Sequence, residues 1–202
     1  MPAALKPRKS PSQGRSTHTV EAIVEAAIRI LRDDGWAAVT TTRIAQRAGV
    51  SVGSLYQYFP SRESIAVEIV RRRTRAFLET VLAVDLAGVR GVDAAAERFV
   101  AAFVAEKRRS LDLSLAIKDA HPEVQGRHAI IEEARTFVPA LQAKLAGALG
   151  RTPDPARLAL SLAVVEGAVW EALSQDPGLI EQPETLAMLG RLFTAALGEL
   201  SP

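Results

Sequence analysis

The chain has no cysteine among its 202 residues, and this absence removes several kinds of chemistry at once. Disulfides, a thiolate nucleophile and cysteine-ligated zinc are all excluded. No apolar run approaches the roughly 20 residues that span a bilayer. The basic N-terminal residues are not followed by the apolar segment of a secretion signal. We therefore expect a cytoplasmic protein without a membrane span.

The sequence also lacks short motifs of several common enzyme classes. It contains no HExxH zinc-protease motif, no P-loop and no glycine-rich dinucleotide fingerprint. His128 and Glu132 lie one helical turn apart, a spacing that suits two metal ligands, but such pairs are common on solvated helices. We predict no catalytic residue, no metal site and no cofactor, and an enzyme is kept as an alternative of a different class.

Positive charge is concentrated in the first part of the chain. Residues 1–75 hold 13 Lys/Arg and 6 Asp/Glu, a net charge of +7, whereas residues 76–202 hold 12 and 17, a net charge of −5. A basic end suits contact with a polyanion, because neutralising phosphates releases condensed counterions. Residues 1–16 are rich in Pro, Ser and basic residues without periodicity, so we expect a disordered basic arm there.

Residues 40–59 have the pattern of two short helices joined by a tight turn. Gly49 falls where the first helix must end, since glycine adopts the left-handed conformation without a Cβ penalty. Ser51 follows as an N-cap, and the second helix then begins at about Val52. This is the pattern of a helix-turn-helix. The positions expected between the two crossed helices are Ile44, Ala45, Ala48, Val50, Leu55 and Tyr58.

The residues around this motif resemble the tetracycline-repressor (TetR) family of bacterial transcription regulators, over about residues 17–72. The matching pieces occur in order: AIVEAAIRILRDDGW, VTTTRIAQRAGVS, LYQYF and SRESI. The resemblance implies an all-α fold of about nine helices. A three-helix helix-turn-helix DNA-binding domain would cover residues 17–62, and a helical ligand-binding and dimerisation domain would cover residues 63–202.

Carried over position by position, the resemblance implies two sets of DNA contacts. Gln57 has the donor and acceptor to pair with adenine, and Arg43 suits either a guanine or a phosphate. The contacts to phosphates fall on Thr41, Ser51, Tyr56, Tyr58 and Arg62. The contacts to base edges fall on Thr42, Arg43, Val52, Gly53, Ser54 and Gln57.

Periodicity predicts further helices in the rest of the chain. Thr19 is a candidate cap for the first helix, and Ser61 for a fourth one that runs to about Leu86. The arginines of that fourth helix are expected to be solvated or paired with Glu68 and Glu79. The later helices are predicted at about 92–109, 111–120, 127–149, 155–175 and 183–200.

The helices at 155–175 and 183–200 predict contact with a second copy of the chain. The first of them contains LALSLAVVEGAVWEAL, which is apolar nearly all round, and a helix tolerates this when both faces are covered. Ala159, Ala163 and Gly167 recur every four residues and allow another helix to approach closely. We expect a homodimer through these two helices, as the resemblance also implies. A helix buried within a monomer fits the same pattern.

The resemblance further implies a small-molecule effector bound among the central helices, and the composition hints at an apolar one. Each candidate residue also has a structural interpretation, since aromatics at helical spacing usually belong to the core. The candidate walls are Phe99, Phe103, Phe137 and Trp170. The candidate polar contacts are His121, His128 and Glu166.

These features together predict a sequence-specific, DNA-binding transcriptional regulator. A dimer would place two recognition helices about 34–36 Å apart, in successive major grooves of an inverted-repeat operator. Repression released by the effector is the predicted sense of control. Besides an enzyme, the remaining alternative is a helical partner-binding module whose helix-turn-helix has lost its affinity for DNA.

Overall fold

A computed structural model describes residues 14–109, 111 and 126–198, with side chains from residue 16 onward except at 126–131 and 181. These residues form eight α-helices, two short 3-10 helices and no strand, so the all-α prediction is confirmed. The predicted helix at 111–120 lies outside the described residues. The α-helices are α1 (Gly14–Asp34), α2 (Thr41–Ala48), α3 (Val52–Tyr58), α4 (Arg62–Leu82), α5 (Val92–Arg109), α6 (Gly126–Leu149), α7 (Pro155–Gln175) and α8 (Pro183–Leu197).

The described helices group into two compact units. The first contains residues up to Thr74 together with Ser110–Glu133, and the second contains Arg75–Arg109 and the residues from Ala134 onward. The predicted domain boundary at residue 62 coincides with the start of α4, whereas the compact units divide inside that helix. The reason is that Ile65, Ile69 and other early residues of α4 complete the core of the first unit.

The first unit is built on the apolar stripe of α1. Ile23, Ala27 and Ile30 of this stripe are completely buried, as are Ile44 of α2 and Leu55 of α3. Burying such an aliphatic side chain contributes about 1.5–3 kcal/mol. The predicted interface of α2 and α3 is present, although Ala48, Val50 and Tyr58 are only partly buried at its edge.

Helix α1 begins earlier than its apolar stripe indicates. It includes Gly14, so Thr19 lies inside the helix and does not cap it, and the last three residues of the predicted arm, 14–16, are helical. The polar residues before Val20 have no apolar periodicity, yet none of them is a proline that would stop the helix. The rest of the predicted arm, residues 1–13, lies outside the described residues.

Helix α4 begins where the sequence predicts. The amide of Ser64 donates to Ser61 Oγ at 3.3 Å, and Ser61 N donates to Ser64 Oγ at the same distance, which is a reciprocal cap. Helix α4 ends at Leu82 and not at about Leu86, because Asp85 opens a new turn by accepting a hydrogen bond from Ala87 N at 2.8 Å.

Two arginines in the middle of α4, Arg71 and Arg72, form ion pairs. Arg72 donates to Glu68 Oε1 at 2.8 Å and to Glu21 Oε2 at 2.6 Å. Arg71 donates to Glu132 Oε2 at 3.2 Å. Burial alone would lower the pKa of Arg72, but the hydrogen bonds to Glu68 and Glu21 raise it, so this guanidinium stays charged while it joins α1 to α4.

The second unit packs α7 and α8 against each other and α8 against α5. Asp154 caps α7 by accepting from the amides of Ala156 and Arg157, at 3.0 and 2.9 Å. Phe99 of α5 meets Phe193 of α8 with ring centroids 5.1 Å apart. The predicted bounds of α7 agree with the structure, and α8 ends at Leu197.

Candidate nucleic-acid interface

The turn between α2 and α3 is fixed by local hydrogen bonds. Thr40 caps α2, since its side chain accepts from Arg43 N at 3.3 Å. Gly49 closes that helix at φ 68°, in the left-handed region that favours glycine. Ser51 caps α3 by accepting from Ser54 N at 3.0 Å. The predicted helix-turn-helix is therefore present, with Gly49 and Ser51 at their predicted capping positions, and Thr40 is a cap that the sequence patterns did not indicate.

The letters of residues 49–53 also spell GxSxG, the pattern of a hydrolase nucleophile elbow. That elbow requires a strand before the serine and a helix after it. Here a helix, α2, precedes the turn, and Ser51 Oγ lies 2.8 Å from Ser54 Oγ in addition to capping α3. Ser51 thus serves as a helix cap in this fold.

The exposed face of α3 carries small and polar side chains. Val52 is 37% exposed and Tyr56 42% exposed, and Gly53 and Gln57 are exposed as well. Ser54 is half-buried beside the cap. A Cβ atom added at Gly53 would meet only Ser51 Oγ, at 3.9 Å, so packing within the protein does not require a glycine there. The predicted base-contacting residues of α3 thus lie along one accessible face or at its edge.

Several predicted phosphate contacts lie beside this face. Thr41 Oγ1 and the Tyr56 hydroxyl are 3.2 Å apart, which links the start of α2 to α3. Ser51 and Thr42 are exposed. Tyr58 is half-buried against the core, so only part of its ring reaches solvent. These side chains place hydroxyl groups, which can donate to phosphate oxygens, next to the exposed face of α3.

Arg62 is also a predicted phosphate contact, and the structure gives it partners inside the protein. Its guanidinium carbon lies 4.6 Å from the ring centroid of Trp36. Its Nε donates to Glu63 Oε1 at 2.9 Å, and Nη1 donates to the Val39 carbonyl at 3.3 Å. A phosphate at Arg62 would therefore share a guanidinium that already joins α4 to the segment after α1.

Glu63 has its own local stabilisation. Partial burial raises the pKa of Glu63, but hydrogen bonds from the Ser61 side chain, from its own backbone and from Arg62 outweigh that effect. The net result is a pKa below its ordinary value of 4.5. A charged Glu63 in the first turn of α4 also suits the helix dipole, so the carboxylate stabilises the end of the helix-turn-helix unit.

Two ion pairs beside the interface involve residues that the sequence patterns did not single out. Arg43 Nη2 donates to Asp34 Oδ2 at 2.6 Å, and Arg47 Nη2 donates to Asp33 Oδ2 at 3.0 Å. Arg43, a predicted contact to base or phosphate, is thus held by a carboxylate of α1. One signal in the sequence could have indicated these ion pairs. Two aspartates stand just before Gly35, at the C-terminal end of a helix, where a negative charge is unfavourable.

Two of the seven candidate effector residues lie in the core of the second unit. Phe99 and Phe103 are buried, and Phe103 meets Phe77 edge to face at 4.7 Å. Glu166 accepts a short hydrogen bond from Lys107 Nζ. Phe137 and Trp170 are half-buried. His121, and the side chain of His128, lie outside the described residues.

A cleft in the second unit lies away from these candidates. It measures about 570 Å³ and is lined by residues 86–91 and 147–150. None of the candidate effector residues belongs to its lining. Six of its ten lining residues are glycine or alanine, and Arg90 is the one charged residue among the ten, so few groups would fix a ligand's orientation. The effector residues named from the sequence stay a prediction.

Across the part of the chain that is described, no group of three or more His, Asp or Glu side chains has the arrangement of a metal site. Glu132, which the spacing paired with His128, accepts from Arg71. Within the same described ranges, no helix combines the length and apolar character that a membrane crossing needs.

Residues 23–69 match the family model of bacterial regulatory proteins of the tetR family, and this stretch contains the whole helix-turn-helix. This match identifies residues 23–69 as a TetR-type helix-turn-helix region. The match supports the interpretation of the exposed face of α3 as a surface that meets DNA.

Individual proteins are similar to this chain over different lengths. The HTH-type transcriptional regulator BetI of Rhizobium meliloti (strain 1021) is 38% identical over 61 residues, which are 30% of each chain. The chain spans about a third of the length of the curated relatives it matches. A TetR transcriptional regulator from Rhodococcus sp. RHA1 shares the fold over 93% of this chain and 100% of its own, with a TM-score of 0.62 and 20% identity. The multidrug binding protein EbrR shares the fold over 91% of this chain and 96% of its own, with a TM-score of 0.63 and 22% identity.

Proposed function

We propose that this protein is a TetR-family transcription regulator, that it binds an inverted-repeat operator as a homodimer, and that it represses transcription until a small-molecule effector releases it. The observation that carries the proposal is the accessible face of α3. It has no acidic residue, it is held at a fixed angle by capped helix ends, and its neighbours present hydroxyl groups. A surface of this kind can approach base edges while the flanking groups hold phosphates.

Dimer formation is supported by an apolar surface on α7 and α8. Leu160 is 56% exposed, Met188 45% and Leu192 37%. Ala159, Ala163 and Gly167 are exposed on α7. A Cβ atom added at Gly167 would have nothing within 4 Å, so the space beside this helix is open to a partner. Exposed apolar residues and exposed small residues on two helices that pack against each other suit close helix packing between two copies.

Two copies provide the specificity that one α3 cannot. A helix of seven residues contacts few base pairs, whereas a two-fold dimer contacts two half-sites. Matching the major-groove repeat requires the two helices to be about 34–36 Å apart. We therefore propose double-stranded DNA with two-fold symmetry as the target. This target lies on the chromosome, which places the regulator in the cytoplasm.

Control by an effector follows from the same geometry. Helix α4 is one continuous helix that has residues in both compact units, so a change in the second unit can reach the first. An effector that prefers one spacing of the two DNA-binding units would lower operator affinity without contacting DNA. Shifting the equilibrium from 1:99 to 99:1 requires a preference of about 5.5 kcal/mol. EbrR, whose fold this chain shares, is a multidrug binding protein, and this supports a small molecule as the effector.

Selection of operator sequences from randomised duplexes, followed by fluorescence anisotropy, tests the proposal. We expect an inverted repeat to be enriched. Gln57→Ala should lose discrimination at one or two base positions, at a cost of about 1–3 kcal/mol for its hydrogen bonds to adenine. Gln46→Ala is the matched control, because Gln46 is exposed on α2 and is not among the predicted contacts. An unchanged preferred sequence for Gln57→Ala would remove Gln57 from the recognition surface, and no enriched repeat for the wild type would contradict the proposed function.

A further inference from the structure

The last turn of α1 and one side of α2 are joined by two parallel ion pairs. Asp34 accepts from Arg43 at 2.6 Å, and Asp33 accepts from Arg47 at 3.0 Å. The two arginines are four residues apart, so they lie one above the other on the same side of α2. The two aspartates are adjacent and each takes one arginine. This arrangement neutralises both basic residues of α2 when no DNA is bound.

The position of the aspartates is unfavourable for α1 itself. The C-terminal end of a helix carries partial negative charge, and carboxylates there are destabilising. The four side chains are 38–55% exposed, and exposed ion pairs of this kind contribute little to folding. The stability of the unit therefore does not account for two aspartates at this place, whereas a role in the binding of DNA does.

Arg43 lies in the first turn of α2, whose first residue, Thr41, contacts Tyr56 of α3 at 3.2 Å. Arg43 points to a different side of α2 from Thr41, and its expected contact with DNA rests on the proposed function. Its guanidinium is 45% exposed on a long, flexible side chain. Such a group can leave one carboxylate and meet another anionic or acceptor oxygen, because guanidinium donors suit carboxylate, phosphate and guanine equally well.

We propose that Asp34, together with Asp33, competes with DNA for the arginines of α2 and so sets the affinity of the regulator. In the free protein the carboxylates hold Arg43 and Arg47. On binding, Arg43 exchanges Asp34 for acceptor oxygens of the DNA, and the loss of the internal pair reduces the net gain. This inference rests on the proposed function, because it assumes that α2 and α3 face the duplex.

The competition has a consequence for specificity. The carboxylate is displaced only where Arg43 gains a contact with the DNA. If Arg43 contacts a guanine, only the correct operator offers a bidentate replacement, so Asp34 lowers affinity for the operator alone. If Arg43 contacts a phosphate, Asp34 weakens the binding of operator and random duplex to the same extent. In that second case the aspartates also limit binding to non-operator DNA, whose affinity is mainly electrostatic.

Asp34→Asn in the full chain tests the inference, with anisotropy titrations against the selected operator and a random duplex. An exposed pair is worth about 0.2–1 kcal/mol, so its removal should raise affinity roughly 1.4- to 5-fold. The gain should shrink as salt is raised, because salt weakens the internal pair in the wild type. A rise in affinity for both duplexes assigns Arg43 to a phosphate contact, and a rise in affinity for the operator alone assigns it to a guanine contact.

Two comparisons separate this effect from a simple change of net charge. Glu25→Gln removes the same charge from α1, where Glu25 pairs with Arg29 of the same helix at 3.0 Å, and it should leave affinity nearly unchanged. In an Arg43→Ala background, Asp34→Asn should have no effect, since the residue for which Asp34 competes is missing. Melting temperatures measured alongside show whether each variant is folded.

Three results would overturn the inference. One is an unchanged or lower affinity of Asp34→Asn, which would mean that Asp34 positions Arg43 for DNA or has no role. Another is an equal gain from Glu25→Gln, and the third is a full gain in the Arg43→Ala background. A wild-type protein that does not distinguish the operator from random duplex would instead contradict the proposed function, and the inference with it.

Discussion

Gly53 offers a substitution that should separate folding from DNA binding. In the free protein a Cβ atom at this position would lie 3.9 Å from Ser51 Oγ, an ordinary van der Waals distance, with no other atom closer than 4 Å. Gly53 lies in α3, where alanine is favoured over glycine by up to about 1 kcal/mol. Gly53→Ala should therefore leave stability unchanged or raise it. If α3 enters the major groove with this face, the added methyl group lies between the helix and the base edges.

The expected loss in DNA affinity is that of one disturbed base contact, about 1–3 kcal/mol or roughly 5- to 150-fold. Urea denaturation gives the change in free energy of unfolding, and anisotropy with the operator duplex gives the change in affinity. Gly147→Ala is the matched control: Gly147 is a helical glycine of α6, and a Cβ atom added there would have nothing within 4 Å. The control should gain stability without losing affinity. Full operator affinity in a stably folded Gly53→Ala would show that this face of α3 does not lie against DNA.

Three further predictions use other parts of the molecule. Tyr56→Phe removes the hydroxyl that lies 3.2 Å from Thr41 Oγ1, and it should weaken binding to all duplexes by a similar factor of about 2 to 10. Such a uniform loss marks a phosphate contact. Anisotropy titrations with operator and random DNA check this prediction, and a loss on the operator alone would contradict it. Leu160→Glu should shift the dimer to monomer in sedimentation velocity, because it puts a charge into the apolar face of α7. The control is Ala94→Glu at an exposed position of α5, which should remain a dimer. If both variants are monomeric, or both are dimeric, the proposed interface is contradicted. Glu63→Gln should lower the free energy of unfolding at pH 7 by about 0.3–1 kcal/mol. Because the pKa of Glu63 is lowered in the folded state, the difference from the wild type should be present above pH 4.5 and disappear as the pH falls below it. A difference that persists at low pH would show that the charge of Glu63 is not its cause.

The parts of the fold that the sequence predicts are those set by local signals. Gly49 and Ser51 fix the turn between α2 and α3 through a left-handed cap and a side-chain cap, and both act within a few residues of the chain. The reciprocal cap of Ser61 and Ser64 likewise marks the start of α4. These signals place the exposed face of α3 correctly because its orientation follows from the burial of Leu55 and its neighbours.

Features that depend on distant residues were not predictable in the same way. Nothing in the spacing of Asp34 and Arg43 indicates that they meet, because their contact depends on how α1 crosses α2. The engagement of Arg62 with the ring of Trp36 arises from the same tertiary packing. Asp85 ends α4 by a turn that periodicity does not reveal.

The most direct test of the central claim is the stoichiometry and symmetry of the complex with the selected operator. Sedimentation equilibrium of the complex, combined with hydroxyl-radical footprinting, measures both on one sample. The account predicts two protomers on one inverted repeat, with two equal protected regions whose centres lie about 34–36 Å apart along one face of the duplex. A single protomer that leaves one asymmetric footprint would contradict it.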